Sequence, residues 1–311
     1  MGCFCLLYPH LHAVFTQVKL QIADVHLLRV EDGGCQPGVH AGMVQEQLLE
    51  VIHLASTAGS DDGHSTALGH GVQQLQVKAV LYAVRVNRVD NQLARAVFHA
   101  MLQPVQRVNA GKLDILCGLE WDLYSDDDPA AYDYWIGSAH YVKGPKTGKY
   151  YEIDWREADL AACIQDDFDG DGLAVVETYF ANVAAVAAKK PTILGHFDLI
   201  KKVNGSGKFF DESDPRYTAA AHKALEAAAQ AGCVLEVNTS SVYRGFREDY
   251  FPSPAILKEW LTMGGNVTIT ADAHEAKALT FGFEEAAAQL KELGYTRVLV
   301  LGKDGFAPCE L

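Results

Sequence analysis

The chain has 311 residues, a hydrophobic fraction of 49% and a formal net charge of −14. This length and apolar content suffice for one large α/β domain or two smaller ones. The acidic charge disfavours nucleic acid as a partner because it repels the phosphate backbone, and the sequence has no apolar run of about 18 residues that could span a membrane.

Composition divides the chain near residue 112. Residues 1–112 hold eight of the 12 His, with eight acidic and eight basic side chains, so residues 113–311 carry 32 acidic and 18 basic groups and the whole net charge of −14. The first part has no firm start and stop signals for helices or strands. We therefore predict an atypical N-terminal segment at 1–112, either a divergent first part of the domain or an extension, and a main domain at 113–311. The seven Cys are scattered and odd in number, which favours reduced thiols and a cytoplasmic location.

From residue 113 onward, strand-like and helix-like segments alternate. Short runs rich in apolar or β-branched residues predict strands at 113–119, 134–138, 192–195, 234–237, 266–271 and 297–301. Apolar residues at helical spacing, bounded by capping or breaking residues, predict helices at 169–188, 215–231, 253–263 and 275–293. Asp169 or Asp171 can cap the first helix, and Gly232 stops the second. This alternation predicts a parallel sheet, open or closed into a barrel, with ligands at the carboxyl ends of the strands.

Five carboxylate or imidazole side chains fall where these predicted strands end. They are Glu120, His140, His196, Asp272 and His274. Both groups bind zinc, manganese and iron, so the set predicts a shared metal site. Two metal ions about 3.5–4 Å apart can clamp a phosphoryl oxygen and activate a water, which needs no Ser or Cys nucleophile. The alternative is a set of unrelated core polar groups, with Asp272-Ala-His274 serving only as a helix cap or turn.

Segments around these residues resemble the PHP (polymerase and histidinol phosphatase) superfamily, and their order looks most like its histidinol-phosphatase branch. The resemblance rests on Ile115-Leu-Cys-Gly-Leu-Glu120, Asp133-Tyr-Trp-Ile-Gly-Ser-Ala-His-Tyr141, Gly195-His-Phe-Asp-Leu-Ile200, Glu236-Val-Asn-Thr-Ser240 and Thr270-Ala-Asp-Ala-His274. It covers about residues 113–302. It implies a distorted (β/α)7 barrel with up to three divalent metal ions.

The resemblance also implies a role for each candidate ligand. Glu120 would bridge the first two metal ions, and His140 and His196 would complete the second site. Asp272 would bind the first ion and His274 the third.

The N-terminal motif of the family is not clearly matched in this chain. The family opens with His-x-His on its first strand, and the candidate here is His10-Leu11-His12, whose following residues do not continue the family pattern. In a His-rich segment such a pair also arises by accident. Near the other end of the site, Arg244 follows Asn238-Thr-Ser240, where the family carries an Arg suited to phosphate.

The implied function is hydrolysis of a small phosphorylated metabolite, L-histidinol phosphate, in histidine biosynthesis. Glu120, Asp272 and Arg244 are the residues that we expect turnover to depend on. One alternative is a relative that binds metal but is catalytically impaired, since the N-terminal ligands are unclear. A polymerase-associated proofreading nuclease of the same superfamily is disfavoured by the acidic charge.

Overall fold

The computed structural model describes residues 115–311, which form a mixed α/β fold around a parallel sheet. The predicted segment 1–112, with His10 and His12, lies outside the described residues.

Strands make up three sheets in this part of the chain. The strands are β1 (Gly118–Asp122), β2 (Tyr134–Ser138), β3 (Tyr141–Lys143), β4 (Tyr150–Glu152), β5 (Ile193–Leu194), β6 (Val234–Asn238), β7 (Asn266–Thr270), β8 (Arg297–Gly302) and β9 (Gly305–Glu310). The central sheet has the order β1-β2-β5-β6-β7, and all its strands are parallel. Two antiparallel hairpins, β3-β4 and β8-β9, form separate two-stranded sheets.

Helices connect the strands of the central sheet. They are α1 (Glu157–Asp167), α2 (Gly172–Ala187), α3 (Pro215–Ala231), α4 (Ser240–Tyr243), α5 (Pro254–Thr262) and α6 (Phe283–Leu293). Three 3₁₀ turns occupy Pro129–Ala131, Leu199–Lys201 and Ala276–Ala278. Within residues 115–311, no helix combines the length and apolar character needed to cross a bilayer.

Local capping signals in the sequence set the ends of the long helices. The Asp171 carboxylate accepts hydrogen bonds from the first backbone N–H groups of α2, so this residue, and not Asp169, is the cap. Helix α3 has the predicted bounds. It ends at Gly232, whose φ of 72° lies in the left-handed region that a helix C-terminus commonly needs.

Three predicted elements differ from the structure. The strand predicted at 113–119 forms at Gly118–Asp122. The helix predicted at 275–293 begins only at Phe283, because a 3₁₀ turn and a loop precede it. The last predicted strand, β8, pairs with β9 in an antiparallel hairpin and does not hydrogen-bond to the parallel sheet. Helix α1 and the β3-β4 hairpin were not predicted, since this stretch lacks a clear apolar period.

The core lies between the central sheet and the helices that cover it. Trp260, Phe180 and Phe197 are among its largest fully buried side chains. Close packing also explains Gly195, which follows β5. A Cβ at this position would lie 2.8 Å from both Ile136 Cγ2 and Ser138 Oγ, so only glycine lets the chain approach β2 just before His196.

Candidate metal centre

Three predicted ligands from neighbouring strands converge on one point. Glu120 is the third residue of β1, while His140 and His196 each come two residues after β2 and β5. Since β1, β2 and β5 are adjacent and parallel, the three side chains meet near the carboxyl edge of the sheet. Glu120 therefore lies within its strand, whereas the sequence pattern had placed it at the end of a strand.

Short distances define this group. Glu120 Oε1 lies 3.1 Å from His140 Nε2 and 2.9 Å from His196 Nε2. One ligand atom from each of the three residues lies within 4.8 Å of the others, and among the described residues this is the group of that kind that could hold a metal ion. We refer to Glu120, His140 and His196 as the Glu-His-His group.

Charge in the Glu-His-His group is strongly perturbed. Burial raises the pKa of Glu120, but both histidines outweigh it and hold the pKa of this carboxyl well below its usual range. Burial also disfavours a charge on His140, yet Glu120 and Asp122 raise the pKa of its imidazole to about 10. The ionised carboxylate of Glu120 is stabilised by positive charge on the two imidazoles. A bound cation would stabilise the same carboxylate.

Asp122 orients His140 from the side away from Glu120. Its Oδ2 accepts the backbone N–H of His140 at 2.8 Å and lies 3.2 Å from Nδ1 of the same residue. A proton on Nδ1 donated to this carboxylate leaves Nε2 as the ligand atom, which is the usual arrangement around a histidine that binds a metal. The donor set and this outer carboxylate therefore fit a divalent ion. The sequence reasoning missed Asp122, although an acid two residues after Glu120 on an alternating strand would have been a usable signal.

Glu236 plays the corresponding part for His196. Glu236 is buried in β6, and its carboxylate accepts the backbone N–H of His196 at 2.6 Å and the hydroxyl of Thr270 at 2.6 Å. Burial raises the pKa of Glu236. The Nδ1 atom of His196 is itself buried without a hydrogen-bond partner in the described part of the chain, so Glu236 holds this residue through its backbone N–H and not through Nδ1.

Asp272, His274 and Arg244 form a second group beyond β7. Asp272 has a φ of 43°, in the left-handed region that non-glycine residues adopt uncommonly. This turn breaks the extended geometry in which Asp272 and His274 would share one face. Asp272 Oδ2 accepts a hydrogen bond from Ser240 Oγ at 3.0 Å. Neither residue belongs to the Glu-His-His group.

Arg244 reaches this second group from the end of α4. One of its guanidinium nitrogens lies 4.0 Å from Asp272 Oδ1 and also contacts His274 Nδ1. The same Nδ1 lies 3.0 Å from the backbone oxygen of Asp272. Because a guanidinium nitrogen can only donate, Nδ1 of His274 is the acceptor in its contact with Arg244.

Asp154 was also missed by sequence reasoning. It follows β4, and its Oδ2 pairs with Lys202 Nζ at 3.1 Å, while its Oδ1 is buried without a partner in residues 115–311. Burial raises its pKa, but Lys202 and then His140 outweigh this and lower it. The carboxylate is therefore ionised and within electrostatic reach of the Glu-His-His group. Because it lies in an irregular loop, no spacing rule could have found it.

Two curated proteins with the same assigned function match more than half of this chain in sequence. The chain is 28% identical over 205 residues to a probable histidinol-phosphatase from Deinococcus radiodurans, which covers 63% of this chain and 71% of that protein. It is 24% identical over 183 residues to a probable histidinol-phosphatase from Schizosaccharomyces pombe, which covers 56% of this chain and 55% of that protein. The chain is similar to histidinol-phosphatases. No family model matches it.

One solved structure shares the fold of this chain. The crystal structure of a candidate histidinol phosphatase, hisK, from Listeria monocytogenes superposes with a TM-score of 0.54 at 17% identity. The match covers 62% of this chain and 76% of that chain. At this identity the likeness describes the fold, a mixed α/β arrangement with a parallel central sheet.

Proposed function

We propose that the protein is a metal-dependent phosphomonoester hydrolase, a histidinol-phosphatase that converts L-histidinol phosphate and water to L-histidinol and phosphate. The reaction is a step of histidine biosynthesis, and we place it in the cytoplasm. The observation that carries the proposal is the Glu-His-His group, found in a chain similar to probable histidinol-phosphatases.

The proposed fold is that of the PHP superfamily. Residues 113–311 would form the phosphoesterase part of a distorted (β/α)7 barrel, and 1–112 an atypical N-terminal segment. The parallel order β1-β2-β5-β6-β7 supports this proposal, since a parallel sheet with helical connections is the element from which such barrels are built.

The proposed metal site uses up to three divalent ions of zinc, manganese or iron. Glu120, His140 and His196 would hold one ion, and Glu120 and Asp272 would contribute to holding a second. His274 would serve a third. If His10 and His12 contribute, they would complete the first site. A bound divalent ion supplies Lewis acidity and brings the pKa of a coordinated water from 15.7 to about 7.

The chain's own residues bind and orient the substrate. Arg244 presents its guanidinium beside Asp272 and His274, where it can hold phosphoryl oxygens by paired hydrogen bonds. Asp122 and Glu236 fix the two histidines, so the ligands do not reorganise as charge develops on the phosphoryl group. In the reaction, the water oxygen bonds to phosphorus, the bond from phosphorus to the ester oxygen breaks, and that oxygen gains a proton.

The test measures metal content and activity on one sample of the full chain purified without chelator. We expect bound divalent metal together with phosphate release from L-histidinol phosphate. Glu120→Gln should lower turnover by at least about 100-fold, because the substitution removes the charge that a metal ligand needs. The matched control is Glu226→Gln, an exposed carboxylate on α3, which should retain turnover.

The outcomes separate the proposal from its alternative. Retained activity in folded Glu120→Gln would contradict the mechanism. Bound metal in the natural chain without turnover would instead favour a catalytically impaired relative that binds metal only. In that case residues 1–112 do not supply the missing ligands.

A further inference from the structure

A cavity of about 470 Å³ opens beside the two groups of candidate ligands. It is lined by Asp154, Trp155, Arg156, Lys202, Arg244 and Phe246. Two of these residues connect it to the site. Arg244 contacts His274, and Asp154 interacts electrostatically with His140. The cavity therefore extends outward from the place where a phosphate would be bound.

Most of the charged side chains that line this cavity are cationic. Arg156, Lys202 and Arg244 line it together with a single carboxylate, Asp154, which Lys202 contacts at 3.1 Å. Lys202 is held in place on its other side by the ring of Phe246, whose centroid lies 5.0 Å from Nζ. The excess of positive charge in an otherwise acidic protein suits an anionic ligand such as a phosphomonoester.

Two exposed aromatic side chains also line this cavity. Trp155 and Phe246 are 45% and 48% exposed, although large apolar side chains are usually buried. They come from two separate loops, one after β4 and one after α4, yet they line the same cavity. Exposed aromatic side chains around a concave site commonly contact the flat face of a ligand.

We infer that Trp155 and Phe246 determine substrate specificity by packing against a planar aromatic ring in the alcohol part of the phosphomonoester, while Arg244 holds its phosphate. The inference rests on the proposed phosphatase function and adds to it the two residues that would distinguish an aromatic substrate from an aliphatic one. Arg244 contacts His274, so the phosphate would lie toward the candidate metal ligands and the ring toward Trp155 and Phe246.

The kinetic test compares an aromatic ester with an aliphatic one. Trp155→Ala and Phe246→Ala should each raise KM for L-histidinol phosphate roughly 5- to 10-fold, the size expected for loss of one aromatic contact. The kcat for this ester, and kcat/KM for glycerol 1-phosphate, should change less than about 2-fold, since neither depends on the ring contact. Tyr150→Ala is the matched control, because Tyr150 is also 48% exposed but does not line the cavity.

Equal losses for both esters, or no loss for either, would overturn the assignment. A binding measurement keeps the test independent of catalysis. L-histidinol, the product, should quench the fluorescence of half-exposed Trp155 in the full chain, and alaninol, which lacks the ring, should not. The quenching should disappear in Trp155→Phe, while calorimetry should still detect L-histidinol binding because a ring remains at this position. Absence of L-histidinol binding by calorimetry would contradict the aromatic subsite, whereas binding without any phosphatase activity would retain the subsite and reject only the proposed function.

Discussion

Removing Lys201 from its buried ion pair with Asp198 should strongly destabilise the protein. Its side chain is fully buried beside Asp198, which is also fully buried, with Nζ 3.0 Å from Asp198 Oδ2. The same Nζ lies 2.6 Å from Asp249 Oδ2 and donates to the backbone oxygen of Tyr250 at 3.1 Å. Lys201 thereby ties the turn that follows His196 to the chain that follows Arg244.

Replacing Lys201 by Met should destabilise the protein by about 3–5 kcal/mol, because it leaves a buried carboxylate without its counter-charge. The same destabilisation can be estimated from the protonation of Asp198. Burial raises the pKa of Asp198, and without Lys201 the carboxyl would take up a proton in the folded state. Protonating a group of ordinary pKa about 3.9 at pH 7 costs about 1.4 kcal/mol per unit over roughly 3 units, or about 4 kcal/mol.

Because the destabilisation arises from the unpaired carboxyl of Asp198, the free energy of unfolding of Lys201→Met should depend on pH. A folded-state pKa of Asp198 above its unfolded value gives stability that is fully present below about pH 3.9 and is lost as pH rises through the folded-state pKa. The destabilisation should therefore be largest near pH 7 and should shrink toward pH 5.

Urea unfolding of the full chain, followed by circular dichroism, measures these free energies. The control is Lys208→Met, since this lysine is 57% exposed where it pairs with Glu157, and its loss should be below about 1 kcal/mol. The double variant Asp198→Asn with Lys201→Met should recover most of the stability, because both buried charges are removed. The reasoning fails if Lys201→Met costs no more than Lys208→Met at pH 7, or if its cost does not fall at pH 5.

Two further predictions concern the metal site and the surface. Asp122→Asn should weaken divalent metal binding by about 10- to 100-fold, measured by competition with a chelator, because it removes the carboxylate that orients His140; unchanged affinity would show that the ring is held by other contacts. The hydrogen bond to Glu259 raises the pKa of His222 above about 6.5. Its stabilising effect is therefore present below about pH 6.5 and is lost as pH rises through the folded-state pKa. The thermal unfolding temperature of His222→Gln should thus lie below that of the natural chain at pH 5.5 and match it at pH 9; a gap that stays constant with pH would contradict this origin.

The sequence by itself determined the elements that local signals control. Strand β2 and helix α3 have the predicted bounds, because the apolar run of one and the Pro and Gly at the ends of the other need no distant partner. Elements without such signals were missed or misplaced. Helix α6 starts eight residues later than predicted, at Phe283 and not 275, since no cap marked its true beginning.

For the candidate site, the sequence supplied the ligand types and the tertiary structure decided which of them meet. The resemblance named Glu120, His140 and His196 in advance, and their strands then lie side by side in the sheet. The metal-binding roles of Asp272 and His274 stay predictions, and neither side chain belongs to the Glu-His-His group.

Only the tertiary structure identified the residues that support the site. The carboxylate of Glu236 and the backbone N–H of His196 are separated by 40 positions in the chain, yet 2.6 Å in space. Lys201 is fully buried, although lysine side chains usually lie at the surface. The reason is physical: hydrogen bonds and ion pairs between distant segments depend on how strands and loops pack, and a local pattern of residues contains no information about that packing.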